Sequence, residues 1–304
     1  MSGSRRPETE PLAVSAANVR PTTRLRRLLA GKKTVQAPGV FNPLLARLVE
    51  RAGFDMVYIS GAGLSNAGLG LPDVGLLTMT EAVRLAGQIA RATSLPCLCD
   101  ADTGYGGPAM IRRAVESFIL EGVAGIHLED QVADKRCGHL PGKELVPVEV
   151  MTDRIRSALS GRTDPDFVLV ARTDARSVEG FDAALDRAKV YVEAGADAIF
   201  PEALESLEEF ARFAEALPVP ILANMTEFGK SPLLGLGELA DAGVRVVLYP
   251  QTCLRVMMAA AGETLAELRV KGTQAGLLDH MQTRRELYDL LGYDDWNRTG
   301  QGSR

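Results

Sequence analysis

Ala194-Gly195-Ala196-Asp197, followed at once by Ala198-Ile199-Phe200-Pro201, is the stretch that decides the fold. The glycine supplies the left-handed position that ends a helix. The short apolar run after it reads as a buried strand. The same phrase recurs as Ala52-Gly53-Phe54-Asp55 and as Ala242-Gly243-Val244-Arg245. Outward from these three points the chain resolves into eight short β-branched or apolar runs: Thr34–Gly39, Asp55–Ser60, Pro96–Asp100, Gly125–Glu129, Phe167–Arg172, Ala198–Pro201, Pro220–Ala223 and Arg245–Tyr249.

Helical periodicity fills the gaps. Asn42-Pro43 opens one helix with an N-cap and a proline at the first position. It carries Leu44, Leu45, Leu48 and Val49 and stops at Gly53. Pro108 opens another, closed at Gly122, and Glu149 to Leu159 makes one that ends at Gly161. Further helices span Phe181 to Ala194, Leu204 to Leu217 and Leu236 to Ala242, and the last of the series runs from Leu254 into Ala261. Alternating strands and helices mean a parallel sheet. A doubly wound open sheet is one form. Eight units in roughly 250 residues fit a (β/α)8 TIM-type barrel better. The strand ends favour the barrel too. Ser60, Asp100, Asp102, Glu129, Arg172, Glu202, Asn224 and Gln251 all fall where strands stop, and a barrel gathers those ends at one mouth.

The 304 residues carry 34 Lys and Arg against 39 Asp and Glu, a net charge of −5, with 46% hydrophobic and 5% aromatic residues. The apolar content supports a full core. The acidic balance and scarce aromatics exclude a nucleic-acid footprint or stacking platform. No apolar run reaches the roughly 18 residues of a membrane helix. Met1 to Arg20 has no apolar h-region and is not read as a secretory signal. Four cysteines do not make a disulfide framework, so a reducing, cytoplasmic home is expected. The reading divides the chain into a flexible arm (1–23), a barrel (24–262) and surplus C-terminal helices (263–304). The apolar faces of those helices suit a subunit interface.

Four constellations carry chemistry. In Asp100-Ala101-Asp102 alternation puts both carboxylates on one face. Such a pair ionises comfortably beside a cation, and carboxylate oxygens suit Mg2+ or Mn2+. A solvated turn is the plainer reading, and Glu129 at the next strand end weighs against it. In Lys135-Arg136-Cys137-Gly138-His139 two cations favour a thiolate, and the long segment from Gln131 to Pro147 has the length of a lid. An incidental surface cysteine is the alternative. Tyr58-Ile59-Ser60-Gly61-Ala62-Gly63 offers backbone N–H groups to an anion, or is a plain tight turn. Arg172, Glu202 and Asn224 stop buried strands with polar groups, for carboxylate recognition or for ion pairing across the mouth. His127 and His280 are read as structural, the latter in a helix. Cys97, Cys99 and Cys253 are read as packing.

These residues resemble the isocitrate lyase / phosphoenolpyruvate mutase superfamily, and most closely its methylisocitrate lyases, from about Arg24 to Tyr293. Its specific parts are Lys135-Arg136-Cys137-Gly138-His139, His127-Leu128-Glu129-Asp130-Gln131, Asp100-Ala101-Asp102-Thr103-Gly104-Tyr105-Gly106, Ala171-Arg172-Thr173-Asp174-Ala175 and Leu222-Ala223-Asn224-Met225-Thr226-Glu227-Phe228-Gly229. The resemblance implies a barrel whose eighth helix is swapped between subunits of a homotetramer. It implies Mg2+ held by Asp100 and, mostly through water, by Asp73, Asp102 and Glu129. It implies cleavage of 2-methylisocitrate to pyruvate and succinate, in propionate catabolism through a methylcitrate route. Tyr58 would be the base and Cys137 the acid, with Lys135, Arg172 and Glu202 around them. Ser60, Gly61 and Ala62 would hold one carboxylate, and Gly138, His139, Asn224 and Thr226 the other. Phe200 and Leu248 would form the methyl pocket. Some relatives have glycine where this chain has Ala62, which touches loop geometry and not the chemistry. Alternatives are a lyase for isocitrate or 2,3-dimethylmalate, or a catalytically silent carboxylate-binding barrel. Long insertions typical of isocitrate lyases do not fit in 304 residues.

Overall fold

The computed structural model describes residues 19–136 and 138–299. The first 18 residues of the expected arm and Cys137 lie outside the described residues. The chain forms α1 (Pro21–Ala30), β1 (Val35–Val40), α2 (Pro43–Arg51), β2 (Val57–Ile59), a short turn α3 (Gly61–Gly63), α4 (Met79–Ala90), β3 (Cys97–Asp100), α5 (Pro108–Leu120), β4 (Gly125–Glu129) and α6 (Val148–Ser160). It continues through β5 (Val168–Thr173), α7 (Phe181–Glu193), β6 (Ala198–Pro201), α8 (Leu207–Ala216), β7 (Leu222–Asn224), α9 (Leu236–Asp241), β8 (Val246–Tyr249), α10 (Thr252–Lys271), α11 (Arg284–Leu291) and α12 (Tyr293–Thr299).

All eight expected strands form, and all pair in parallel in the order β6-β5-β4-β3-β2-β1-β8-β7. The remaining seam, β6 to β7, is joined by one bridge between Ile199 and Ile221, where Ile199 N–H donates to the Pro220 carbonyl at 3.0 Å. This is a nearly closed TIM-type barrel. The stop signals act as read: Gly53, Gly195 and Gly243 take φ of 85°, 108° and 84°. Gly161 does not, with φ −91°.

Alternation divides the core in two. Val35, Ala37, Met56, Tyr58, Leu98, Val168, Val170, Phe200, Val246 and Leu248 fill the barrel interior. Their neighbours Val57, Ile59, Cys97, Cys99, Ile126, Leu169, Ile199 and Val247 pack under the helices, as a period of two requires. Cys97 and Cys99 are therefore packing residues. Burial pushes the Cys97 thiol up to about 12.

Three boundaries differ from the reading. α1 begins at Pro21, inside the span expected to be arm, and closes the N-terminal end of the barrel. Thr22, Leu25 and Leu29 form its buried stripe, and Leu25 reaches Gly125 at the start of β4. Burying each leucine stabilises by about 1.5–3 kcal/mol. The helix expected to end at Ala261 runs on to Lys271, where Gly272 supplies the left-handed cap at φ 63°. The division at 262/263 thus falls inside one helix. His280 ends a 3-10 turn (Ala275–His280) and not an α-helix. α10 buries none of its residues and leaves Val256, Met258 and Leu265 each more than 60% exposed. α11 rests on α2, where Leu290 is buried and Arg47 donates to the Leu290 carbonyl at 3.5 Å.

Candidate active site

The C-terminal strand ends surround a cavity of about 550 Å3 whose walls include Tyr58, Ser60, Asp100, Arg172, Glu202 and Asn224. Ser60 ends β2 and caps α3. Its Oγ accepts from Gly63 N–H at 3.2 Å and from Gln251 Nε2 at 3.0 Å. Gly61 packs against Asp100, since a Cβ there would stand 2.7 Å from Asp100 Oδ2. Only a glycine allows that approach. Ala62 lines the cavity beside them.

Beneath this rim lies a dense set of buried charges. Lys135 Nζ bridges Asp73 Oδ1 at 2.7 Å and Asp102 Oδ1. Burial lowers the lysine, but Glu129, Asp102, Asp100 and Asp73 outweigh it and keep it protonated. Burial would also raise Asp100; His127, Lys135 and Arg172 instead hold it down at about 2. Asp102 goes the other way, to about 6, because burial and the nearby Asp100 and Asp73 exceed the pull of Lys135. Burial raises Glu129 well above its usual range. Both Glu129 carboxyl oxygens are buried without a hydrogen-bond partner, and Arg172 Nε stands 3.5 Å from Oε2.

Arg172 is fixed on three sides. Its Nε and one terminal nitrogen donate to Asp174 at 2.9 and 3.2 Å. A terminal nitrogen lies 3.3 Å from Glu202 Oε2. The guanidinium sits 5.2 Å over the Phe200 ring. Glu202 also meets His139 Nε2 at 2.7 Å and accepts from Asn224 Nδ2 at 3.2 Å. Burial would raise it, but Arg172 and His139 hold it below the usual carboxylate range. Gly138 is pressed against Arg172 and Glu202, leaving no room for a Cβ. His139 Nδ1 accepts from Lys230 N–H at 3.0 Å. Thr226 completes this side.

His127, read as structural, lies beneath the cavity and touches two residues of its wall, Tyr58 and Asp100. It is fully buried, its Nε2 lies 2.8 Å from the Tyr58 hydroxyl and 3.7 Å from Asp100 Oδ1. Burial drops it to about 4, so it is neutral near pH 7. The signal was present: strand alternation puts residues 127 and 129 on one face. Phe200 and Leu248 do not line the cavity. They pack inside the barrel one layer below, with Phe200 edge-on to His127 at 5.3 Å. The Lys135 ammonium is committed to Asp73 and Asp102. Gln251, expected at the end of β8, lines the cavity. Lys143 is a further buried polar residue near the mouth, which strand reading alone could not place because it sits on a loop.

The donor set fits a divalent cation. Asp73, Asp100, Asp102 and Glu129 converge on two cations, Lys135 and Arg172, and Arg172 is already shared with Asp174 and Glu202. Negative charge is in excess, and Glu129 presents two unsatisfied oxygens. Among the described residues no three His, Cys, Asp or Glu side chains stand at the spacing of direct ligation to one ion. Ligation mostly through water does not require that spacing.

The profile of the phosphoenolpyruvate phosphomutase family matches residues 25–269. A Corynebacterium glutamicum protein named probable 2-methylisocitrate lyase 1 is 53% identical over 270 residues, 88% of each chain. The 2-methylisocitrate lyase of Aeropyrum pernix is 47% identical, covering 92% of this chain and 90% of that one. Among solved structures, a 2,3-dimethylmalate lyase superposes with TM-score 0.88 at 36% identity, over 94% and 96% of the two chains. A phosphonopyruvate hydrolase in complex with oxalate and Mg2+ superposes with TM-score 0.85 at 28% identity, over 94% and 99%.

Proposed function

From the premise that this chain belongs to the phosphoenolpyruvate phosphomutase family, we propose that it is a carbon–carbon lyase that cleaves 2-methylisocitrate to pyruvate and succinate. The observation that carries this reading is the 47–53% identity, over about nine-tenths of the chain, to proteins named for that reaction. The mouth supports it chemically. A tricarboxylate needs several cationic and amide donors, and Arg172, His139, Asn224 and the Ser60–Ala62 turn supply them on two sides of one cavity.

Cleavage takes the proton from the substrate hydroxyl, breaks the adjacent C–C bond, and delivers a proton to the carbon that becomes succinate. Tyr58 is assigned the first proton transfer. Burial and Asp100 raise its phenol well above 10, so it enters protonated. It can accept a proton only while passing its own to neutral His127 at 2.8 Å. Asp100 then faces the imidazolium. Cys137 is assigned the second proton transfer. Glu202 orients Arg172, His139 and Asn224. Phe200 packs edge-on against His127 and steadies it from beneath, and Leu248 fills the same layer of the barrel interior.

A divalent cation, Mg2+ or Mn2+, would be held by Asp100 and, through water, by Asp73, Asp102 and Glu129. Bound there, it supplies Lewis-acid stabilisation to the developing 2-oxo acid.

The chain is assigned to a homotetramer in which α10 of one subunit packs on the next. The exposed apolar face of α10 supports this. So does an apolar groove of about 330 Å3 between α2 and the base of α10, lined by Leu45, Leu48, Val49, Phe54 and Tyr249, where an eighth barrel helix would lie. Light scattering is expected to give a four-chain mass; a single-chain mass contradicts the assignment. Among the described residues no helix is long and apolar enough to cross a membrane. Free Cys97, Cys99 and Cys253 support a cytoplasmic placement.

The deciding assay offers 2-methylisocitrate, isocitrate and 2,3-dimethylmalate with Mg2+, and measures pyruvate, succinate, glyoxylate and propionate. Pyruvate and succinate from methylisocitrate are expected. Glyoxylate as preferred product, or no turnover, sinks the reading.

A further inference from the structure

The segment between β4 and α6 folds back on itself. Gln131 bridges Leu145, Val132 N–H donates to the Glu144 carbonyl at 3.0 Å, and Val146 N–H donates to the Asp130 carbonyl at 2.9 Å. From its returning arm Lys143 points inward, its side chain only 2% exposed. Burying a lysine is costly unless its charge is met. Here Nζ donates to Asp174 Oδ1 at 2.9 Å and to the Gly138 carbonyl. Asp174 is the carboxylate that grips Arg172, and its own N–H is held by Asp130 Oδ1 at 2.9 Å. Lys143 itself is absent from the cavity wall.

We propose that Lys143 is a positioning residue for the lyase reaction: its single ammonium ties the backbone of Gly138 to the carboxylate that orients Arg172. Two effects follow from that link. Gly138 and His139 stay seated against Arg172 and Glu202, so the donors on the two sides of the cavity keep one spacing. Asp174 divides its charge between two cations, which leaves part of the Arg172 guanidinium free for Glu202 and a substrate carboxylate. Without Lys143, Asp174 is a buried carboxylate with Arg172 as its remaining cation, and it draws the guanidinium back from the cavity. Misplacement of positioning groups by about 1 Å can cost on the order of 100-fold in rate.

The proposal rests on the methylisocitrate reading only for its assay substrate. The test compares the full-length chain with K143M and K143R, in Mg2+, by steady-state kinetics, thermal midpoint and tryptic cleavage after Arg136, identified by mass. Arg136 is exposed on the same segment. K143M is expected to lose about 10- to 100-fold in kcat/KM per folded molecule when assayed well below its thermal midpoint, which falls because buried Asp174 loses a partner. Cleavage after Arg136 should accelerate about fivefold or more, and K143R should recover a large part of both. Parent-like kcat/KM and cleavage in K143M overturn the proposal. So does an equal loss in K143M and K143R that follows a fallen thermal midpoint, since that is a purely structural role. If K143M does not fold, K143Q is read by the same criteria. The cleavage readout uses no substrate. A parent enzyme inactive on methylisocitrate would therefore count against the substrate assignment alone, and the cleavage rates would still decide on Lys143.

Discussion

The two ends of the barrel are built from opposite materials. At the N-terminal end α1 lays Leu25 and Leu29 against Val35, Met56, Ala124 and Val168, an apolar plug. At the C-terminal end the same strands finish in Asp100, Glu129, Arg172 and Glu202, all buried. One end gains stability from each residue it buries. The other keeps charges out of water, and two of its carboxyls, Asp102 and Glu129, are held above their usual range. The strain is also in the backbone: Asp102 and Tyr105 adopt φ of 48° and 62° without being glycine. Such features persist where function requires them. The contrast teaches that stability and chemistry are written at separate ends, as in TIM barrels generally.

The largest effect that could break this contrast is expected at Cys137. Cys137→Ser should lower turnover by roughly 1,000-fold or more, since a hydroxyl is a far weaker acid, while substrate binding by calorimetry persists. Near-normal turnover would remove the thiol from the mechanism. Next comes Glu129→Gln, expected to lower turnover by about 100-fold or more and to weaken Mg2+ binding, with the folded state of the metal-free protein more stable at pH 8. Unchanged Mg2+ affinity by titration would remove Glu129 from the cation site.

At the other end, Leu25→Ala should cost about 2–5 kcal/mol in urea unfolding and leave kcat per folded molecule unchanged. A kcat that falls with stability intact would mean the plug reaches the site. The smallest effect is a pH dependence. Asp102 has a folded-state value of about 6 against an unfolded value near 3.9. Its contribution to stability is therefore present below about pH 4 and lost as pH rises through about 6. In metal-free protein the Asp102→Asn variant should gain stability over the parent between pH 5 and 7. An advantage that shrinks as pH rises over that window contradicts the assignment.

Much of this architecture was legible in the sequence. β4 and β6 have the expected bounds, because Gly122 and Gly195 mark their starts and charged or polar residues mark their ends. α1 is not legible in the sequence because Arg24, Arg26 and Arg27 give it a polar look. Its buried stripe has only Thr22, Leu25 and Leu29, too thin to read without knowing that a barrel floor lies beneath. α10 runs past Ala261 through Gly262 to Lys271, since an interior helical glycine costs only about 1 kcal/mol. At the mouth, residues ending strands could be named from strand ends alone. His127 lies two residues before such an end and needed alternation. Lys143 needed the folded path of a long loop.

The most direct test of the contrast measures urea unfolding and turnover together, on Leu25→Ala and Glu129→Gln, without metal and with Mg2+. The account predicts opposite signs: Leu25→Ala loses stability and keeps its turnover per folded molecule. Glu129→Gln gains stability at pH 8 without metal, loses turnover, and gains less than the parent from Mg2+. A Glu129→Gln protein that is destabilised without metal, or that turns over like the parent, would contradict it.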